Sequence, residues 1–158
     1  MKMRKIVAAL MAVLMICCLI PFAAVAEDAS AVIDFTDKAN RTHYSTEQQI
    51  WEQNGVKLTN NKGASTSNVG DYTNPVRLYK NTDVTIEYAG MTKLVFDCTN
   101  IDKKYAEDAL LPTLQAVSGA TVTMEGKIIT VVLDAAANSF SFTTTAQSRV
   151  TALYVYTN

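Results

Sequence analysis

The chain has 158 residues, a formal net charge of −1 and a single histidine. Its basic residues form no cluster of the kind that grips a phosphate backbone, which excludes a nucleic-acid partner. One histidine and one core cysteine, Cys98, cannot fill a tetrahedral zinc site, and no Gly-x-Ser-x-Gly elbow accompanies the histidine for Ser–His–acid hydrolysis.

Residues 1–26 carry the pattern of a secretory signal peptide. Lys2, Arg4 and Lys5 make a charged start, an apolar run extends from Ile6 to Phe22, and Ala24-Val25-Ala26 supplies a small-x-small cleavage site. The run of 17 residues is at the lower limit for a membrane span, and Pro21 interrupts its end. Cys17 follows Ile16 rather than a small residue, so Cys17 and Cys18 are read as apolar filler and not as lipidation sites. The expected product is secreted and extracellular, with no membrane insertion after cleavage. The remaining part, 27–158, has 132 residues and 11 basic against 15 acidic side chains, a net −4. That is the size of one domain, large enough to bury a core without a staple. Its lone thiol, Cys98, shares a strand face with Leu94 and Phe96 and is assigned to the core.

Strand signals begin at residues 31–35, where Val32 and Ile33 are β-branched. Residues 38–46 are polar and read as a loop or weak edge strand. Residues 49–53 and 56–60 flank Asn54-Gly55, a pair that tolerates positive φ at both positions, and predict a hairpin. In its first arm Ile50 and Trp51 face opposite sides. Residues 61–74 form a long polar connection without a helical or strand period, and such connections are functional or disordered. Pro75 opens a strand with Val76 and Leu78 on one face and Arg77 and Tyr79 on the other. Residues 84–88 alternate, and Ala89-Gly90 is expected to turn the chain into a strand over 93–98.

Residues 100–111 break the β pattern. They predict one short helix, capped by Asn100 or Asp102, with Tyr105, Ala109 and Leu110 on one stripe and Pro112 as its limit. A strand over 121–124 turns at Glu125-Gly126 into 128–133, whose few polar residues predict a central strand covered on both faces. Residues 135–138 read as a connection to a strand over 139–143. The last strand, 150–156, slips once out of period two and predicts a bulge or bend. About eight or nine short strands with one helix predict a mainly β chain. The expected architecture is an antiparallel, jelly-roll-like β-sandwich, one domain over 27–158, preceded by the signal-peptide helix.

Several stretches together carry a resemblance. They are Gln49-Ile50-Trp51-Glu52-Gln53-Asn54-Gly55-Val56, then Lys62-Gly63-Ala64-Ser65-Thr66-Ser67-Asn68-Val69, then Pro75-Val76-Arg77-Leu78-Tyr79-Lys80. The strands over 84–86 and 93–98 follow, and near the end Ser139-Phe140-Ser141-Phe142 and Gln147-Ser148-Arg149-Val150. This resembles a jelly-roll-like β-sandwich accessory module of secreted and surface proteins from Gram-positive, often gut-dwelling, bacteria. The resemblance spans nearly all of residues 27–158 and implies no catalytic residue.

Sugar sites combine an aromatic platform with amide, carboxylate or guanidinium groups. Trp51, Asp71, Tyr72, Arg77 and Tyr79 are the candidates for such a patch. Trp51 competes with Ile50 for the core, so it is either a structural residue or a platform. Arg77 either joins the patch or pairs with a surface acid. The leading expectation is a non-catalytic binding module for a glycan or another extracellular, cell-surface ligand. The alternative is a structural or adhesion protein that binds a protein partner. The third reading is a small glycosidase using Glu52 and Glu87, two strand carboxylates of unknown separation. No cofactor is expected, apart from a structural calcium ion for which Asp34, Asp37, Asp71 and Asn74 are the available ligands. His43 is read as an exposed loop residue.

Overall fold

The computed structural model describes residues 29–158, so the signal-peptide reading of 1–26 falls outside them. The described chain is mainly β and antiparallel, with one short helical stretch. β1 (Ala31–Asp34) is followed by β2 (Arg41–Tyr44), an edge strand, as the polar residues there predict. β3 (Gln48–Gln53) and β4 (Val56–Asn61) form the expected hairpin, with φ of 53° at Asn54 and 80° at Gly55. β5 (Val76–Leu78) comes after the long polar connection.

β6 (Asp83–Asp97) and, after the helical stretch and β7 (Ala120–Glu125), β8 (Ile128–Thr143) depart from expectation. They are 15 and 16 residues long and pair with each other at both ends, on either side of a central irregularity. Ala89-Gly90 does not reverse the chain, and residues 135–138 are strand, not a connection. Both are points where the β6–β8 ribbon bends. The register slips between Glu87 and Lys93, Gly90 adopts a φ of 71°, and its N–H donates to Asn138 Oδ1. A bulge of this kind kinks a strand without ending it.

The bend folds one sheet over on itself. In the first leaf β2, β3 and β4 lie beside residues 83–87 of β6 and 139–143 of β8. In the second leaf β1 and β10 (Ala152–Tyr156) lie beside residues 93–97 of β6, 128–132 of β8 and β7. The inner faces meet. Phe35, just after β1, sets its ring edge-on to Trp51 of β3 at 5.4 Å, and Phe96 meets Phe142 at 6.4 Å. The strand over 128–133 is not covered on both faces as its composition predicts. Ile129 and Val131 are buried, but Val132 is 47% exposed.

β5 pairs with β9 (Ser148–Val150) as a separate two-stranded sheet. The slip at the end of the chain is the point where this strand leaves the small sheet. At Thr151 the chain bends, and β10 enters the large sheet. The helical stretch runs through a 3₁₀ turn (Lys103–Tyr105), a π turn (Ala106–Leu110) and α1 (Leu111–Gln115). Asp102 precedes it without a side-chain capping bond. Pro112 sits in the first turn of α1 rather than limiting the stretch, because the N–H groups of a helix's first turn have no partner within the helix. Ala109 and Leu110 are buried as the stripe predicts, and Tyr105 packs partly against the core.

One row of the inner face is polar. Gln49 lies opposite Asn60, and both are fully buried. Gln49 accepts from Trp51 Nε1 at 3.0 Å and donates to the Arg77 carbonyl at 3.2 Å, tying the small sheet to the first leaf. The Asn60 amide has no hydrogen-bond partner among the described residues, a cost of about 1–3 kcal/mol.

Candidate functional site

The small sheet presents its outer face to solvent. Val76 and Leu78 of β5, with Ser148 and Val150 of β9, point inward and are buried. Arg77 and Arg149 are direct cross-strand partners and point outward together. The long polar connection lies back along β5. Its Gly70 is packed so closely that a Cβ there would stand 3.3 Å from both the Arg77 carbonyl and the Tyr79 ring. Val69 N–H donates to the Thr46 carbonyl, Tyr44 Oη to the Val69 carbonyl, and Asp71 is held by Arg41 at 2.7 Å. These bonds order a segment that its composition alone left open between functional and disordered.

Between that connection and the end of β5 lies a cleft of about 390 Å³. The connection contributes Ser65, Thr66 and Ser67 to its wall. The opposite side carries Tyr79, Lys80 and Asn81, with Gln147 from the segment before β9. Among the described residues, the Tyr79 hydroxyl, Lys80 ammonium and the Asn81 and Gln147 amides make no side-chain hydrogen bond within the chain. They form a set of free donors and acceptors around one aromatic ring.

Arg77 and Arg149 lie two residues along the chain from Tyr79 and Gln147 of the cleft wall. Tyr72, 40% exposed, stacks on the Arg77 guanidinium at 3.3 Å. Tyr105 stacks on Arg149 at 3.7 Å. Neither arginine has a carboxylate within 4 Å among the described residues, whereas Arg41, Lys57, Lys62, Lys103 and Lys104 all do. Arg149 Nε is buried and has no hydrogen-bond partner among the described residues. Beneath it, Cys98 sits in the core with Sγ 3.8 Å from the Arg149 carbonyl, and burial pushes its thiol up to about 12.

Of the sequence candidates, Arg77, Tyr72 and Tyr79 come together on this face, and Asp71 lies at its margin, paired to Arg41. Trp51 does not join them. It is 0% exposed, with its indole N–H bound to Gln49, so of its two readings the structural one holds. Arg149, Tyr105, Lys80, Asn81, Gln147 and the serines of the connection escape a reading of the sequence for sites. Arg149 is the partner of Arg77 only through the β5–β9 register, a pairing across 72 residues that no local pattern announces.

Glu52 and Glu87 lie on the outer face of the first leaf with Lys57 between them. Glu52 accepts from Thr42 Oγ1 at 2.7 Å, and Lys57 bonds Glu87 at 2.6 Å, which raises the Lys57 pKa. A hollow of about 490 Å³ lies beside them. Asp34 accepts from Thr36, and Asp37 caps the turn at Lys38–Asn40. No three His, Cys, Asp or Glu side chains among the described residues gather into a metal-holding group. His43 lies exposed on edge strand β2.

No protein-family model, curated protein or solved structure matches this chain. Its chemistry is therefore read from the arrangement of its own side chains.

Proposed function

We propose that the protein is a secreted, non-catalytic binding module of the accessory kind its sequence resembles, and that it holds a glycan in the cleft beside Tyr79. The supporting observation is the unpaired set around that ring: a hydroxyl, an ammonium and two amides, faced by the hydroxyl-rich wall of Ser65, Thr66 and Ser67. A sugar offers an apolar C–H face to an aromatic ring and a ring of hydroxyls to such donors and acceptors. The larger hollow on the first leaf has an opposite character, because the charged groups beside it are already paired with one another.

The test is titration calorimetry against a panel of soluble plant, microbial and mucin polysaccharides. A bound member of the panel should bind about tenfold more weakly to Tyr79→Ala, and more weakly to Gln147→Ala, in line with the loss of one central contact. Thr59→Ala, on the outer face of the first leaf, should leave affinity unchanged. No binding across the panel, or binding indifferent to Tyr79→Ala, refutes the reading.

A further inference from the structure

Two arginines directly opposite each other on one strand face repel, and like charges so placed destabilise a sheet. The described part of the chain does nothing to neutralise them, although it pairs five other cations with carboxylates. Instead it sets each guanidinium over the face of a tyrosine ring, Arg77 on Tyr72 and Arg149 on Tyr105. Stacking of this kind fixes the plane of the guanidinium while leaving its N–H edges free. Among the described residues no side-chain nitrogen of Arg77 is hydrogen-bonded or fully buried, and for Arg149 only Nε is buried. The outer N–H groups of both therefore reach solvent unpaired. Lys80 adds a third cation without a carboxylate partner at the neighbouring cleft, on a protein whose residues 27–158 carry a net −4.

We infer that Arg77 and Arg149 form a clamp for an oxyanion group of the ligand, so that the glycan held beside Tyr79 is an acidic one. This rests on the glycan reading above and narrows it to a substrate class. Planar, fixed guanidinium forks match the two oxygens of a carboxylate and also those of a sulfate. The bound anion relieves the repulsion between the two arginines and occupies the N–H groups that the chain leaves open. The tyrosines hold both forks in place before the ligand arrives, which lowers the ordering cost of binding.

The experiment compares three probes on the intact protein by titration calorimetry. They are polygalacturonate oligomers, the same oligomers with carboxyls reduced to alcohols, and sulfated dextran oligomers. The wild type should bind at least one acidic probe about tenfold or more tightly than the reduced chain, the scale expected of charge-assisted hydrogen bonds. Whichever acidic probe is the tighter distinguishes carboxylate from sulfate. Arg77→Gln and Arg149→Gln should each remove most of that preference. Arg149→Lys should restore it only in part, because a point charge lacks the fork. Lys38→Gln, which removes one positive charge elsewhere, should change nothing. Arg77→Gln sits on the solvent face of β5 and serves if Arg149→Gln unfolds, and the parent-against-reduced comparison needs no variant. Equal affinity for the acidic and reduced chains, with Tyr79→Ala still harmful, overturns the clamp and leaves the glycan reading standing. An acidic preference that survives both glutamine substitutions also overturns the clamp. Absence of binding to every probe and to the wider panel overturns both.

Discussion

On the outer face of the first leaf, Glu52, Lys57 and Glu87 alternate in sign across three adjacent strands, and each finds its partner inside the chain. On the outer face of the small sheet, Arg77 and Arg149 carry the same sign across two strands, and neither finds an acid among the described residues. Both surfaces are polar, strand-borne and wet, so composition does not separate them. What separates them is whether their hydrogen-bonding and charged groups are satisfied at home. A satisfied face is a solvated surface. An unsatisfied one keeps its free energy of interaction for something else, and here the unsatisfied residues adjoin the cleft that Tyr79 and Gln147 line.

The contrast extends to the aromatics and gives the largest expected effect. Trp51 has its indole N–H on Gln49 and its ring on Phe35, with nothing exposed, whereas the Tyr79 hydroxyl is unpaired among the described residues and Tyr79 lines the cleft. Trp51→Ala should therefore cost about 3–5 kcal/mol of stability through the cavity it leaves. Tyr79→Ala should stay within about 1 kcal/mol while losing ligand affinity. Urea unfolding followed by circular dichroism measures both, since Trp51 is the only tryptophan and takes the fluorescence signal with it. A Tyr79→Ala cost as large as that of Trp51→Ala would move Tyr79 from the site into the core.

The arginine face rests on a buried floor, and pH probes it. Cys98 lies under Arg149, and burial holds its thiol at about 12 against an ordinary 9.0. The folded state keeps the proton more tightly than the unfolded one. The stability this contributes is complete below about pH 9 and is lost as pH rises towards about 12, by roughly 1.4 kcal/mol per pH unit. Cys98→Ala should remove that slope. Tyr154, also raised by burial, titrates in both proteins and cancels from the difference. Urea midpoints between about pH 9 and about pH 11 decide it. Parallel slopes for wild type and variant would mean that water reaches the thiol.

Much of the scaffold is legible in the residues themselves, and the failures share a cause. Asn54-Gly55 announces its hairpin because the turn's backbone demand is local. The alternation over 84–88, the edge character of 41–44 and the burial of Cys98 follow from neighbours in sequence. Ala89-Gly90 misleads because a glycine at positive φ marks a reversal and a bulge equally well. Only the pairing of both flanks with β8 decides for the bulge. Trp51 is ambiguous for the same reason, since alternation says that it opposes Ile50 but Phe35 decides which of them is inside. At the site, Arg77, Tyr72 and Tyr79 are visible because they lie close together in the chain. Arg149 and Tyr105 reach them only through tertiary pairing.

Charge reversal tests the comparison at its smallest scale. Lys57→Glu puts three carboxylates in a row across β3, β4 and β6, replacing two attractions with two repulsions. Like charges directly opposite each other destabilise a sheet, so this variant should unfold at a lower urea concentration than wild type, and the difference should shrink at high salt. Arg77→Glu does the reverse on the small sheet. It turns a repulsive pair into an attractive one with Arg149, a gain of a few tenths to about 1 kcal/mol, and gives up the stack on Tyr72, worth about 0.5–1 kcal/mol. The two nearly cancel, so Arg77→Glu should stay within about 0.5 kcal/mol of wild type by urea unfolding while abolishing acidic-glycan binding. A protein that tolerates charge reversal at Arg77 but not at Lys57 keeps its like-charged pair for a ligand and not for its fold. Should Arg77→Glu cost more than Lys57→Glu, the arginines are structural after all and the distinction between the two faces fails.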